Sequence, residues 1–162
     1  MAFAIEEPLS AGDVDGCAQV ARDSRLRVIG DESIRLIEQL TALPEPSRWI
    51  VNVRVSKTGG VLRAMEVVAE ATKLGIDVIV GCQVGETSVL TRAALAVMAS
   101  VQGAVIGAEG AFGTHLLSSD LTDRTIMWGH GGLLRGEDVP DRGGGLGLQL
   151  DPAAVLVPLE GT

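Results

Sequence analysis

The chain has 162 residues, which predicts one domain, and 46% of them are apolar, enough for a hydrophobic core. Its net charge of −8 disfavours a nucleic-acid or anionic-membrane partner, because phosphates repel an acidic surface. Cys17 and Cys82 give neither a disulfide framework nor a CxxC pair, and no apolar run reaches the length of a membrane span. With no signal peptide in the sequence, these features predict a cytoplasmic protein.

Apolar runs and helical periodicity alternate along the first two thirds of the chain. The runs at 3–5, 26–29, 49–55, 77–80 and 104–106 predict strands, and the segments 13–22, 33–43, 61–74 and 87–101 predict helices. Strands that alternate with helices indicate a parallel sheet with right-handed crossovers. From Gly107 this pattern ends, and glycine clusters at 129–132 and 143–147 predict an irregular segment with one short strand at 146–150.

Polar side chains stand at the ends of the predicted strands. In chain order they are Glu6 and Glu7; Asp31 and Glu32; Asn52, Arg54 and Lys57; and Gln83 and Glu86. Because the carboxyl ends of parallel strands share one rim, we expect these side chains to converge. Carboxylates gathered at one rim are costly unless a cation lies between them. A divalent ion such as Mg²⁺ suits carboxylate oxygens, and Arg54 or Lys57 could share that task.

Each of these residues also has a purely structural interpretation. Asp31 or Ser33 could cap the helix that follows. The stretch from Lys57 to Gly60 could cradle a phosphate, although it lacks the Walker spacing. The recurrence of acids at successive strand ends strengthens the case for a metal site, and helix capping stays an alternative for each single acid.

Four short motifs occur in a fixed order, "IEEP", "GDES", "KTGG" and "GCQVGETS", followed by "GGGLG" near the end. Together they resemble the enolase superfamily in its mandelate racemase and muconate-lactonising branch. The resemblance implies a partial TIM-type barrel of the α/β class, containing the fourth to eighth strands of a (β/α)₇β barrel. It implies that residues 1–107 form part of the barrel domain, and that 108–162 end the barrel and return to the lid domain.

The resemblance also implies a chemistry. A divalent metal, normally Mg²⁺, binds the carboxylate of a small substrate, a base removes the proton α to that carboxylate, and the metal stabilises the enediolate. Glu6 and Asp31 fall at the metal-ligand positions of the fourth and fifth strands. Arg54 falls at a catalytic lysine position and Glu86 at that of an acid near the substrate. From the same rim, Asn52, Lys57 and Gln83 are assigned to substrate binding.

The resemblance begins at the family's fourth strand, so we expect this chain to lack the first three strands, which in the family carry a lysine base and a third metal ligand. At the position of the family's other catalytic lysine the chain has Arg54, which holds its proton too tightly to act as an ordinary base. We therefore expect a homo-oligomer or a complex with a missing N-terminal half. Three hypotheses follow: a part of an enolase-superfamily enzyme, a non-catalytic half-barrel with an interaction role, or an unrelated doubly wound domain that binds Mg²⁺.

Overall fold

The strands of the protein form one parallel sheet, as a computed structural model shows for residues 3–101, 103–110, 113–134, 139 and 143–154. Within this described part the strands are β1 (Ala4–Glu6), β2 (Arg27–Gly30), β3 (Trp49–Arg54), β4 (Asp77–Gly81) and β5 (Val105–Ala108). Every neighbouring pair is parallel. The predicted α/β fold with a parallel sheet is therefore confirmed.

The order of the strands in the sheet decides between the fold hypotheses. The order is β1-β2-β3-β4-β5, so each strand lies beside the next one in the chain. A doubly wound sheet reverses its order at a switch point, whereas a barrel wall does not. The sheet is therefore a partial barrel, and the hypothesis of a doubly wound domain is wrong.

The described helices are α1 (Val14–Ser24), α2 (Ile37–Thr41), α3 (Val55–Thr58), α4 (Val61–Leu74), α5 (Ser88–Ser100) and α6 (Gly113–Leu116). The short helices α3 and α6 were not predicted, and the four predicted helices begin and end within two residues of their predicted positions, with one exception. Before α1, the Asp13 carboxylate accepts the N–H of Gly16 at 3.0 Å and caps the helix. After α4, Gly75 adopts the left-handed conformation (φ +69°) that ends a helix.

The exception is α2, which is shorter than the predicted helix 33–43. The N–H of Ser33 donates to the Glu7 carboxylate at 2.8 Å, and the Ser33 hydroxyl accepts the N–H of Gly12 at 2.7 Å. These bonds hold Ser33 in a loop rather than in a helical turn. The helix begins later, where the Gln39 side chain accepts the N–H of Leu36 at 3.0 Å.

The hydrophobic core of the sheet is centred on β3, all six residues of which are buried. Ile50 and Val51 have no exposed surface, and neither do Val68 and Ala71 of α4. Each Ile or Val side chain buried in this way contributes roughly 1.5–3 kcal/mol. Burial on this scale fixes the strand directions, and with them the positions of the residues at the strand ends.

The described residues form two compact units. The first comprises those of Met1–Cys82 and Ala93–Glu109, and the second those of Gln83–Arg92 and Gly110–Thr162. In the second unit the Ser88 hydroxyl donates to Asp120 at 2.6 Å and accepts the N–H of Ile126 at 2.7 Å. The predicted domain boundary between 107 and 108 stays a prediction.

The glycine-rich segment is irregular wherever the structure describes it. A strand was predicted at 146–150, but the described structure has only one isolated antiparallel bridge there, between Thr122 and Leu150. Gly143, Gly144 and Gly147 have φ angles of +67°, +70° and +69°, which are incompatible with a strand. Residues 111–112, 135–138, 140–142 and 155–162 of this segment lie outside the described residues. Of the helices described, none combines the length and hydropathy needed to cross a bilayer.

Candidate active site at the strand carboxyl ends

The site residues of the first unit stand at one end of the sheet. Glu6 is the last residue of β1, Asp31 follows the last residue of β2, and Arg54 is the last residue of β3. Because the three strands are parallel, these positions share the carboxyl edge. We call the side chains of Glu6, Asp31, Glu32, Asn52, Arg54, Lys57 and Glu109 the rim.

Asp31 lies at the centre of the charged contacts of the rim. Its side chain is 7% exposed, and its two carboxylate oxygens form ion pairs with Lys57 and Arg54. Arg54 also forms an ion pair with Glu32, so that one guanidinium joins two acids. A carboxylate held between two cations in this way is fixed in orientation.

Lys57 is a buried ammonium whose partners all lie within the chain. It lies on α3 directly after β3, and its side chain is 6% exposed. Besides pairing with the Asp31 carboxylate, its Nζ donates to the backbone oxygens of Asp31 (2.6 Å) and Asn52 (2.7 Å). An ammonium has three N–H donors, so these three acceptors use its full hydrogen-bonding capacity.

Asn52 connects acids from opposite edges of the described sheet. It is 2% exposed, its Nδ2 donates to Glu109 at 3.3 Å, and its side chain hydrogen-bonds the Glu6 carboxyl. Gly81 on β4 makes room for this amide, because a Cβ there would overlap Asn52 Oδ1. The sheet is therefore curved enough for the last residue of β1 and the residue after β5 to reach the same side chain of β3.

Glu109 is the rim residue that the sequence analysis missed. It follows β5 directly, as acids follow β1 and β2, and its Oε2 accepts the N–H of Cys82 at 3.4 Å. The signal was present in the sequence, since Glu109 comes three residues after the predicted strand 104–106. That strand in fact continues to Ala108, so Gly107 belongs to the sheet and not to the tail.

The ionisation of the rim follows from burial and from neighbouring charges. The pKa of Glu6 is raised, first by partial desolvation of its carboxyl and then by the charges of Asp31 and Glu109. The pKa of Glu32 is lowered by its hydrogen bond with Arg54. Burial disfavours the charge of Arg54, but the bonds with Glu32 and Asp31 outweigh it and raise the Arg54 pKa.

The pKa of Lys57 is lowered, and the cause is again burial. Its bond to Asp31 acts in the opposite direction, and the nearby charge of Arg54 lowers it further. The rim as a whole has four acids, Glu6, Asp31, Glu32 and Glu109, against two cations, Arg54 and Lys57. It therefore has an excess of negative charge, concentrated around Glu6.

The other two predicted site residues belong to the second unit. Gln83 is exposed and Glu86 is 9% exposed, and the N–H of Glu86 donates to the Gln83 carbonyl at 3.3 Å. This turn lies just before α5. The catalytic role of Glu86 and the substrate-binding role of Gln83 stay predictions, as do those of Asn52 and Lys57.

The donors of the rim suit a divalent cation in type and in charge. Glu6 and Asp31 offer the hard oxygen ligands that Mg²⁺ prefers, and negative charge is in excess around them. In the described part of the chain, however, no three acidic, histidine or cysteine side chains form a group that could hold a metal ion.

A parallel partial barrel with acids at the carboxyl ends of its strands defines the class of α/β-barrel proteins whose sites lie at that rim. The family described as "Enolase C-terminal domain-like" matches residues 2–154 of the chain. The chain therefore belongs to the enolase superfamily, in its mandelate racemase and muconate-lactonising branch.

The relatives described next are enzymes more than twice as long as this chain. Chloromuconate cycloisomerase of Cupriavidus pinatubonensis is 27% identical over 148 residues, covering 91% of this chain and 38% of that protein. L-Ala-D/L-amino acid epimerase of Flavobacterium johnsoniae is 36% identical over 83 residues, covering 51% of this chain and 24% of the relative. The crystal structure of 2-chloromuconate cycloisomerase from Rhodococcus opacus 1CP has a TM-score of 0.73 at 24% identity, over 92% of this chain and 39% of that one. The chain thus spans well under half of each relative.

Proposed function

We propose that this chain supplies the metal-binding part of an active site that removes the proton α to the carboxylate of a small substrate. The reaction class is that of an isomerase, as in the cycloisomerases and epimerases to which the chain is similar. One observation carries the proposal, namely that Glu6 and Asp31 stand at the carboxyl ends of the paired parallel strands β1 and β2, with the Asp31 carboxylate oriented by Lys57 and Arg54. Enzymatic relatives favour this function over that of a non-catalytic half-barrel.

Glu6 and Asp31 are the residues that would hold Mg²⁺. Glu6 is exposed and keeps an accessible carboxylate, whereas Asp31 is oriented by Lys57 and Arg54. Bound Mg²⁺ supplies the positive charge that makes the proton next to a substrate carboxylate acidic enough to be removed. The excess negative charge of the rim favours a divalent cation over a monovalent one.

Arg54 contributes a fixed positive charge to the site rather than a base. Its pKa is raised further by two acids, so it stays protonated throughout the range in which proteins work. Lys57 is also unsuited to removing a proton, because its three N–H donors are bound to Asp31 and Asn52. Neither rim cation therefore acts as the base.

The base must then come from outside the rim. We propose that a separate N-terminal half, a longer form of the chain or a second copy supplies it together with a further metal ligand. In the described sheet, β1 and β5 each pair on one side only, so each presents an edge at which another parallel strand could join. The small carboxylate substrate would bind where the two parts meet.

The metal proposal is tested by titrating the full chain with Mg²⁺ during thermal unfolding. Two carboxylates predict weak binding, and Mg²⁺ at ten times its dissociation constant raises the free energy of unfolding by about 1.4 kcal/mol. Glu6→Gln should abolish this increase, whereas Asp13→Asn, a matched carboxylate at the start of α1, should retain it. An equal Mg²⁺ effect in Glu6→Gln and the unchanged chain would contradict the proposal.

A further inference from the structure

The backbone of Asp31 is held from two sides by charged side chains of other elements. From the segment directly after β1, the Oε1 of Glu7 accepts the N–H of Asp31 at 2.7 Å and the N–H of Ser33 at 2.8 Å. From α3, the Nζ of Lys57 donates to the Asp31 carbonyl at 2.6 Å. Both polar groups of this peptide backbone are therefore engaged by ionisable side chains, in addition to the ion pairs of the carboxylate itself.

Glu7 adopts an unfavourable backbone conformation in this arrangement. Its φ is +22°, a value that residues other than glycine rarely adopt and that costs on the order of 1–3 kcal/mol. Its own N–H donates to the Ile29 carbonyl at 3.0 Å, which continues the pairing of β1 with β2 by one residue. The chain turns sharply at this point, and the turn directs the Glu7 side chain towards the loop after β2.

These bonds do not serve to cap a helix. Helix α2 begins at Ile37, so the amides of Asp31 and Ser33 lie outside its first turn. The loop is instead cross-linked to the segment after β1, because the Ser33 hydroxyl also accepts the N–H of Gly12 at 2.7 Å. What the Glu7 carboxylate fixes is the backbone position from which the Asp31 side chain extends into the rim.

We propose that Glu7 is a positioning residue for Asp31, and that the metal affinity of the rim depends on it. The proposal rests on the proposed function, because it takes Asp31 to be a metal ligand. Two charge-assisted hydrogen bonds to neighbouring amides restrict the loop more than one bond does. An oxygen ligand that is held in place before the cation arrives binds it more tightly, and loss of such outer contacts lowers metal affinity about 10- to 100-fold.

The test compares Mn²⁺ binding by the full chain and three variants, using paramagnetic relaxation of water protons as the readout. Glu7→Ala should weaken Mn²⁺ binding about 10- to 100-fold. Glu7→Gln keeps an oxygen that can accept the same two N–H groups, so it should bind Mn²⁺ within about threefold of the unchanged chain. Asp13→Ala removes a carboxylate that accepts one backbone N–H away from the rim, and should bind Mn²⁺ normally although it loses a helix cap.

A purely structural role of Glu7 gives a different pattern. In that case Glu7→Ala and Asp13→Ala both lower the melting temperature and both keep the Mn²⁺ affinity, and the proposal is overturned. If Glu7→Ala does not fold, amide hydrogen exchange in the unchanged chain decides. The Asp31 and Ser33 amides should exchange more slowly than other loop amides, and fast exchange at both would overturn the proposal.

The same experiment separates this inference from the proposed function. If the unchanged chain binds no Mn²⁺ at all, the metal-binding function fails. Glu7 is then judged by amide exchange in Glu7→Gln and in the unchanged chain. If the Asp31 and Ser33 amides are equally protected in Glu7→Gln and in the unchanged chain, the hydrogen bonds from the Glu7 side chain to the loop are supported. If these amides are unprotected in both proteins, the hydrogen bonds are refuted.

Discussion

Single residues at the rim bring charge into places where it lowers the stability of the fold. Glu6 is exposed, but partial desolvation of its carboxyl and two neighbouring acids raise its pKa, so its ionised form is less favourable in the folded chain than in the unfolded one. Residues that lower the stability of the free protein are typical of binding sites, where the bound ligand provides the compensating charge or contact. Glu6 is therefore the residue whose replacement should reveal the site.

Glu6→Gln should raise the free energy of unfolding at pH 7 in the absence of divalent ions. Because the folded-state pKa lies above the ordinary value of 4.5, the folded chain binds this proton more tightly than the unfolded chain does. The ionised carboxylate thus destabilises the fold above its folded pKa, and this effect disappears as the pH falls below 4.5. Urea denaturation at pH 7 and at pH 4 measures the difference, and a less stable Glu6→Gln at pH 7 would refute the prediction.

Lys57→Met should destabilise the fold strongly. The substitution leaves the buried Asp31 carboxylate with one cation and removes the ammonium donor from the backbone carbonyls of Asp31 and Asn52. Removing one partner of a buried ion pair costs roughly 3–5 kcal/mol. The matched control is Lys73→Met. The Lys73 ammonium pairs with Glu70 on the surface, so this substitution should change the free energy of unfolding by less than about 0.5 kcal/mol. Similar unfolding midpoints for the two variants would contradict this account of Lys57.

Among the elements, those with strong local patterns were predictable from the sequence. The strands follow from short apolar runs, and α4 was located correctly because its apolar spacing and its glycine stop agree. Helix α2 was predicted too long because the Glu7 and Ser33 contacts that shorten it join residues far apart in the chain. The contacts of Glu109 were missed for a related reason, since they depend on how strongly the sheet curves.

The close approach of the Asn52 side chain to Gly81 of β4 leads to a prediction. Gly81→Ala would place a methyl group against the Asn52 amide, which is buried and bonded to Glu109. Overpacking of this kind costs roughly 1–3 kcal/mol. Gly107→Ala on β5 is the matched control, because the nearest atom to its Cβ is Ile79 Cγ1 at 3.8 Å, an ordinary contact. Thermal unfolding should separate the two variants, and equal stability would show that Asn52 can move aside without cost.

For the whole molecule, the sequence motifs predicted the family, which the match over residues 2–154 confirms. The positions of Glu6 and Asp31 in the fold could be predicted because each ends a strand and parallel strands end together. Whether the site is complete could not be predicted, because in the relatives the barrel belongs to a chain much longer than this one.

The open edges of β1 and β5 predict association. Size-exclusion chromatography with light scattering should show a second copy bound to the chain, or a stable complex after co-expression with an N-terminal enolase-superfamily half. Parallel edges with free backbone groups recruit further strands. A monodisperse, folded monomer that does not bind the co-expressed N-terminal half would contradict this prediction.

The most direct measurement of the central claim is anomalous scattering from crystals of the chain grown or soaked with Mn²⁺. The account predicts one anomalous peak with carboxylate oxygens of both Glu6 and Asp31 within about 2.6 Å of the ion. A peak that contacts only one of these acids, or the absence of a peak at the rim, would contradict it.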